Sequence, residues 1–151
     1  MSLLRLQVYH IDRLAELEQL CFAVPWTRAM LVSELKNPLA CYYVLEEAGQ
    51  VLGYGGMQVV LDEGYITNIA CDPAQRRKGV GRRILTALVD EAKRRELSFL
   101  TLEVRRSNLP AQGLYASFGF EQTGVRPRYY EKPTEDALLM TLWLKPPENL
   151  T

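Results

Sequence analysis

Asp72-Pro73-Ala74-Gln75-Arg76-Arg77-Lys78-Gly79-Val80-Gly81-Arg82-Arg83 sets two glycines and five basic side chains between a segment with strand-like residues and one with helical spacing. The strand reading covers Tyr65 to Cys71. The helix reading follows from Val80, Ile84, Leu85, Leu88, Val89 and Ala92, which recur at the period of one helix face. Backbone N–H groups at a helix start are unpaired and carry partial positive charge. Glycines let an anion approach that backbone, and flanking Arg and Lys add charge. The chemistry fits a pyrophosphate. A Gly pair before a helix is also an ordinary turn, and a basic run is also an ordinary solvated face. No Lys-Ser or Lys-Thr follows the second glycine, so the turn is not a Walker A loop. Arg82, Arg83 and Ile84 stand where the dinucleotide fingerprint needs its third glycine.

Outward from this turn the chain reads as a strand at Leu3–Val8, then helices at Ile11–Phe22 and from Thr27 to about Lys36. Thr27 can cap the second helix, and Asn37-Pro38 ends it. Strands follow at Cys41–Glu46 and Val51–Val60, and Gly53, Gly55 and Gly56 in the latter suggest a bulge or a close backbone approach. Beyond the long helix come a strand at Phe99–Val104, a helix at Asn108–Phe118 closed by Gly119, and strands at Phe120–Arg128 and Leu138–Leu144. Strand, two helices, three strands, helix, strand, helix, two strands make an α/β chain with a mixed sheet and helices on both faces. The 151 residues fit a single domain spanning 1–151.

Eighteen basic residues balance eighteen acidic ones, which gives no general pull toward nucleic acid or an anionic membrane. No apolar run reaches membrane-spanning length and no signal pattern opens the chain, so a soluble cytoplasmic protein is expected. Cys21, Cys41 and Cys71 are few and widely spaced, as expected of reduced core residues rather than a disulfide or zinc framework. His10 is the lone histidine and is expected at the surface before the first helix. One histidine leaves no multi-His metal site and disfavours a Ser/His/Asp triad, so no metal is expected and a general base would be a carboxylate.

Two further side chains carry acid–base possibilities. Glu103 lies near a strand end and Tyr115 on the following helix, in Leu114-Tyr115-Ala116-Ser117-Phe118-Gly119-Phe120. Amide formation from a thioester needs a base for the attacking amine and an acid for the leaving thiolate. A carboxylate serves the first, and a phenol, with a pKa near that of the thiol, the second. A strand-end Glu is otherwise a solvated charge, and an apolar-flanked Tyr otherwise core. Asn108 is a helix cap whose amide could also reach a ligand.

Arg76-x-x-Gly79-x-Gly81 after a strand and opening a long helix resembles the acetyl-CoA signature of the GNAT acetyltransferase superfamily, and the element order is similar to that fold. The resemblance implies a mostly antiparallel sheet whose two parallel strands splay at a cofactor cleft. It implies that Ile69, Ala70 and Cys71 hold the pantetheine arm of acetyl-CoA in strand fashion. Arg76, Arg77, Lys78, Gly79, Val80, Gly81 and Arg82 would hold the pyrophosphate, with Asn108 at the cofactor.

Leu102-Glu103-Val104-Arg105-Arg106-Ser107-Asn108 through Phe120 resembles the RimI-type ribosomal-protein-alanine N-acetyltransferases. Phe22-Ala23-Val24-Pro25-Trp26-Thr27 is similar to their substrate-side loop, and Arg128-Tyr129-Tyr130 with Glu135-Asp136-Ala137 is similar as well. The resemblance implies Glu103 as base, Tyr115 as acid, and Trp26, Tyr129 and Tyr130 as acceptor contacts; aromatic packing explains those three equally well. The implied acceptor is a protein N-terminal peptide, the alanine of the eighteenth small-subunit ribosomal protein. Three alternatives stay open: another amine, such as a polyamine, an antibiotic or a protein lysine; a non-catalytic acetyl-CoA-binding module; and a nucleotide-phosphate module.

Overall fold

The computed structural model describes residues 1–146. In chain order the elements are β1 (Ser2–Arg5), α1 (Ile11–Cys21), α2 (Arg28–Lys36), β2 (Ala40–Glu47), β3 (Gln50–Val60), β4 (Glu63–Cys71), α3 (Val80–Arg94), β5 (Phe99–Arg105), α4 (Leu109–Ser117), β6 (Glu121–Tyr130) and β7 (Glu135–Trp143). This is the expected order. The seven strands form one sheet in the order β1-β2-β3-β4-β5-β7-β6. Every neighbouring pair is antiparallel except β4 and β5.

Two clusters of buried side chains, one on each face, hold helices to this sheet. α3 contributes Ile84, Leu85 and Leu88, all fully buried, against Leu45, Met57, Leu100 and Leu102. Each such burial is worth about 2 kcal/mol, which outweighs the roughly 1 kcal/mol that Gly81 costs a helix. On the other face α1 and α2 bring Ile11, Leu14, Leu17 and Leu31 onto Tyr42, Val44 and Tyr54. Strand alternation sorts the sides: Cys41 and Leu45 face α3, while Tyr42 and Val44 face α1.

Three local expectations change. The first strand ends at Arg5, and Val8–His10 is a single 3-10 turn. His10 is buried rather than exposed: its Nδ1 accepts from the Gln7 N–H at 2.9 Å and its Nε2 lies 2.6 Å from Glu46 Oε1. Those two bonds absorb the ring's polarity, which is why the interior accepts it. The third concerns α1, where Ile11, Leu14, Leu17, Leu20 and Cys21 recur at helical spacing and are expected to form the inner stripe. Leu20 is 57% exposed, while Glu18, 1% exposed, takes the inward place beside Leu14 and Leu17.

The parallel pair opens the sheet. β4 and β5 are in register only at Glu63↔Phe99, Gly64↔Leu100 and Tyr65↔Thr101. Beyond Tyr65, β4 stays bonded to β3 as far as Cys71, and β5 stays bonded to β7 as far as Arg105. The strands therefore diverge with their facing edges unpaired. The bend has a local cause. Met57 pairs with Ile66 but Gly56 pairs with Asn68, so Thr67 is an extra residue, a β-bulge. The Tyr42 hydroxyl lies 2.7 Å from Thr67 Oγ1, and the Tyr42 ring crosses β3 at Gly56. A Cβ at Gly56 would sit 2.1 Å from that ring, so only glycine allows it there.

Candidate active site

The open end of the sheet gathers most of the expected residues. Ile69, Ala70 and Cys71 form the free-edged end of β4; Ala70 is buried, Ile69 and Cys71 half-buried. The Cys71 carbonyl already accepts the Cys21 thiol at 3.2 Å. Burial is the first cause raising both thiols above the usual cysteine range, so neither is a ready thiolate.

Immediately beyond, Asp72 caps a short turn through its own side chain, with Ala74 N donating to Oδ1 at 2.9 Å, and holds the α1 residue Arg13 at 2.6 Å. Arg77 and Gly79 then adopt left-handed backbone, at φ 71° and 75°. Gly79 is the residue before α3, and the first helical bond runs from Arg83 N to Gly79 O at 3.0 Å. The N–H groups of Val80, Gly81 and Arg82 thus precede the helix ladder, as an anion cradle requires. Arg76, Arg77 and Lys78 are exposed around it. Lys78 Nζ is held by Gln75 Oε1 at 2.6 Å. The Arg82 guanidinium stacks 5.4 Å from the Phe118 ring centre and donates to Ser117 Oγ at 3.2 Å, which ties α3 to α4 beside the turn.

Glu103 and Tyr115 come from the β5 side of the opening but from opposite faces of the sheet, Tyr115 joining the α3-side cluster. On β5, Leu100, Leu102 and Val104 face the α3 core, so Thr101, Glu103 and Arg105 face the opposite side. α1 and α2 cover that side only over the β2–β4 half of the sheet, and Glu103 stays accessible beside β6. Arg126 Nε of β6 lies 3.2 Å from Glu103 Oε1, an ion pair that the sequence reading missed. Tyr115 is 8% exposed and packs 5.7 Å from the Phe120 ring centre. Burial pushes its phenol up to about 12. That lies further from a thiol than expected, so the phenol keeps its proton through the neutral range. Asn108 caps α4, with Ala111 N donating to its Oδ1 at 3.2 Å.

Tyr129 and Tyr130 pack edge-on to each other at 5.0 Å. Burial raises the Tyr130 phenol, and the nearby Tyr129, Glu103 and Tyr115 add to the rise while Arg105 opposes it. The tight β6–β7 hairpin is fastened by Arg105, which donates to Glu131 O at 2.6 Å and Pro133 O at 3.0 Å and stacks 4.5 Å from the Tyr130 ring centre. Nothing in the sequence distinguishes Arg105 from the adjacent Arg106, whose side chain makes only a long contact with Asp136 at 3.6 Å. Trp26 is half-buried in the loop between α1 and α2, on the opposite bank from Tyr129 and Tyr130.

With this geometry the comparisons with known proteins agree. The family described as "Acetyltransferase (GNAT) family" matches residues 11–120. The chain belongs to the GNAT acetyltransferases. The GNAT acetyl donor is acetyl-CoA, and the splayed strands with a glycine-opened helix fit it: strand-edge groups suit the amides of an extended arm, and the helix start suits a pyrophosphate. A relative from Escherichia coli K12, "[Ribosomal protein bS18]-alanine N-acetyltransferase", is 39% identical over 138 residues, covering 89% of this chain and 87% of the relative. One of the same name from Haemophilus ducreyi is 40% identical over 138 residues, covering 88% and 93%. The crystal structure of the ribosomal-protein-S18-alanine N-acetyltransferase from Escherichia coli superposes with a TM-score of 0.90 at 33% identity, over 99% of this chain and 97% of that one. Among the described residues, no GNAT helix here is long and apolar enough to cross a membrane, and no group of three or more His, Cys, Asp or Glu side chains is placed to hold a metal.

Proposed function

We propose that this GNAT enzyme acetylates the α-amine of an N-terminal alanine on the eighteenth small-subunit ribosomal protein, drawing the acetyl group directly from acetyl-CoA. The observation that carries the reading is the splayed β4–β5 pair, which leaves the Ile69–Cys71 end of β4 and the Glu103 end of β5 with their facing edges unpaired. The names of the relatives, at 39% and 40% identity, support the acceptor.

In this reading Ile69, Ala70 and Cys71 take the pantetheine arm. Arg76 through Arg82 take the pyrophosphate on backbone N–H groups and side-chain charge, and Asn108 lies along the cofactor. Trp26, Tyr129 and Tyr130 wall the acceptor slot. The amine nitrogen attacks the thioester carbon, and the new C–N bond replaces the C–S bond. The proton lost by nitrogen goes to Glu103, directly or through water, and CoA leaves as a thiolate that Tyr115 protonates. A backbone N–H near Cys71 polarises the carbonyl; one such donor is worth on the order of a hundredfold in rate. With burial pushing its phenol up to about 12, Tyr115 stays protonated at neutral pH and so has a proton to give the departing sulfur.

The acceptor suits the site chemically. An α-amine has a pKa near ~8, so part of it is already neutral at pH 7, unlike a lysine near ~10.4. A carboxylate base is enough. Such a substrate would meet the enzyme in the cytoplasm. The test is a mass-spectrometric panel with acetyl-CoA: a peptide starting with Ala, the same peptide with other first residues, spermidine, and an N-blocked Lys peptide. The expected result is acetylation of the Ala peptide at its α-amine ahead of the rest. Preference for spermidine or the Lys peptide overturns the acceptor, and cofactor binding without CoA release for any amine overturns the transferase reading.

A further inference from the structure

Glu18 is a carboxylate inside the inner stripe of α1, where Ile11, Leu14 and Leu17 are all apolar and fully buried. Packing alone would be better served there by another leucine, because a buried charge is costly unless its oxygens are used. Its contacts say what it is used for. The Glu18 carbonyl accepts the Phe22 N–H at 3.0 Å, ending α1. Its side-chain Oε1 accepts the Trp26 N–H at 3.0 Å, at the far end of the same loop. The same oxygen accepts the Asn68 Nδ2–H at 3.1 Å, and Asn68 lies on β4 between the bulge residue Thr67 and Ile69. One residue therefore closes the α1–α2 loop at both ends and joins it to the strand that borders the cleft. Oε2 and the Tyr54 hydroxyl are buried nearby, neither with a hydrogen bond of good geometry. Burial raises the Glu18 carboxyl, and the Tyr54 hydroxyl only partly offsets it. That cost is borne at a loop junction and not in the sheet interior.

We propose that Glu18 is a positioning residue for the acceptor: its buried carboxylate pins the α1–α2 loop, and Trp26 with it, to the free-edged end of β4, and so sets acceptor affinity without touching the reacting atoms. The inference rests on the reading of that loop as one wall of the acceptor slot. The opposite wall is fastened in the same manner, by Arg105 of β5 holding the β6–β7 hairpin. Each bank of the cleft is thus tied by one side chain to the splayed strand below it. The tether stands on the acceptor side of β4, so its loss should leave the cofactor turn at Arg76–Arg82 in place.

Glu18→Ala, Glu18→Gln and Asn68→Ala in the full chain provide the test, with KM measured separately for the Ala peptide and for acetyl-CoA. Gln keeps an oxygen for the Trp26 and Asn68 donors, and its amide can donate to Tyr54. Removing a buried charge-assisted acceptor costs on the order of tenfold or more. Glu18→Ala should therefore raise peptide KM roughly tenfold while acetyl-CoA KM stays within about twofold, and Glu18→Gln should return peptide KM to within about threefold of wild type. Equal rises in both KM values, an unchanged peptide KM, or a Gln variant as impaired as Ala each overturn the proposal. Should Glu18→Ala fail to fold, Asn68→Ala decides: it cuts only the strand end of the tether and should raise peptide KM alone, and an unchanged value overturns the role. Hydrogen exchange at the Trp26 amide separates this inference from the choice of acceptor. If wild type prefers another amine, KM is read with that amine, and Trp26 exchange must still quicken in Glu18→Ala but not in Glu18→Gln; unchanged exchange overturns the tether itself.

Discussion

Substitution of the two glycines of the turn by alanine should have opposite effects on stability, and the structure says why. Gly79 sits at φ 75° and ψ 20°, with nothing within 4 Å of where a Cβ would be. No clash arises, so the penalty of Gly79→Ala is backbone strain alone, about 1–2 kcal/mol for an L-residue held left-handed. For a chain of this size that lowers Tm by roughly 2–6 °C. Gly81 lies inside the first turn of α3 with no positive φ, and its added Cβ would meet Leu114 Cδ2 at 3.4 Å, an ordinary contact. Gly81→Ala should leave Tm unchanged or raise it, since alanine is favoured over glycine in a helix by up to ~1 kcal/mol. Cofactor binding sharpens the contrast. An alanine that relieves the strain at position 79 turns its backbone out of the left-handed region and shifts the first N–H groups of α3, and losing one charge-assisted bond to a phosphate costs ~1.5–3 kcal/mol, or about ten- to a hundredfold. Gly79→Ala should raise acetyl-CoA KM by at least roughly tenfold and leave peptide KM alone. Gly81→Ala should stay near wild type, because its added Cβ meets only Leu114 and leaves the helix start unchanged. Thermal melting and initial rates at varied acetyl-CoA are the assays. A Gly79→Ala enzyme with wild-type acetyl-CoA KM, or Gly81→Ala as the more damaging change, would refute the cradle geometry.

Two further outcomes follow from the proton chemistry. Tyr115→Phe should keep Tm within about 2 °C, because the ring packing on Phe120 is preserved, while kcat falls on the order of a hundredfold; Glu103→Gln should lower kcat by a similar factor, and wild-type turnover in the double variant sinks both roles. At the other end of the molecule, Arg94 and then Arg95 hold the Glu91 carboxyl down to about 2, against its burial. A depressed acid stabilises the fold above its unfolded pKa near 4.5, and that contribution fades as pH falls toward 2. Glu91→Gln should therefore melt about 1–4 °C below wild type at pH 7, allowing for the exposed arginine partner, with the gap closing between pH 4.5 and 2; a gap constant down to pH 2 refutes the ion-pair explanation.

What the sequence revealed, and what it hid, divide along a physical line. Periodicity and turn chemistry are local, so the element order, the mixed sheet and the turn before α3 could all be read from neighbouring residues. The splay could not be read that way, because it depends on three strands at once. Gly56 makes room for the Tyr42 ring, whose hydroxyl meets Thr67, and Thr67 is the extra residue that turns β4 away from β5. The three glycines of β3 gave notice of a close approach without saying what approached. His10 was misplaced for a related reason: its burial depends on Glu46, thirty-six positions away.

The α1 stripe carries the same lesson into the candidate site. Apolar spacing favours Leu20 for the inward face, yet Leu20 is exposed and Glu18 is buried. A rule that scores only hydrophobicity must make this exchange, since Glu18 is accepted inside through partners on the α1–α2 loop and on β4 that the rule does not contain. Arg105 is the same case in a milder form: beside Arg106 it is one basic residue of two, and only the hairpin carbonyls that it reaches set it apart. The residues that would touch cofactor stand in a local motif because the cofactor demands particular backbone at fixed spacing. Those that would hold the proposed acceptor walls work across long sequence separations, so their meaning appears only once the strands have diverged and given the two loops something to be fastened to.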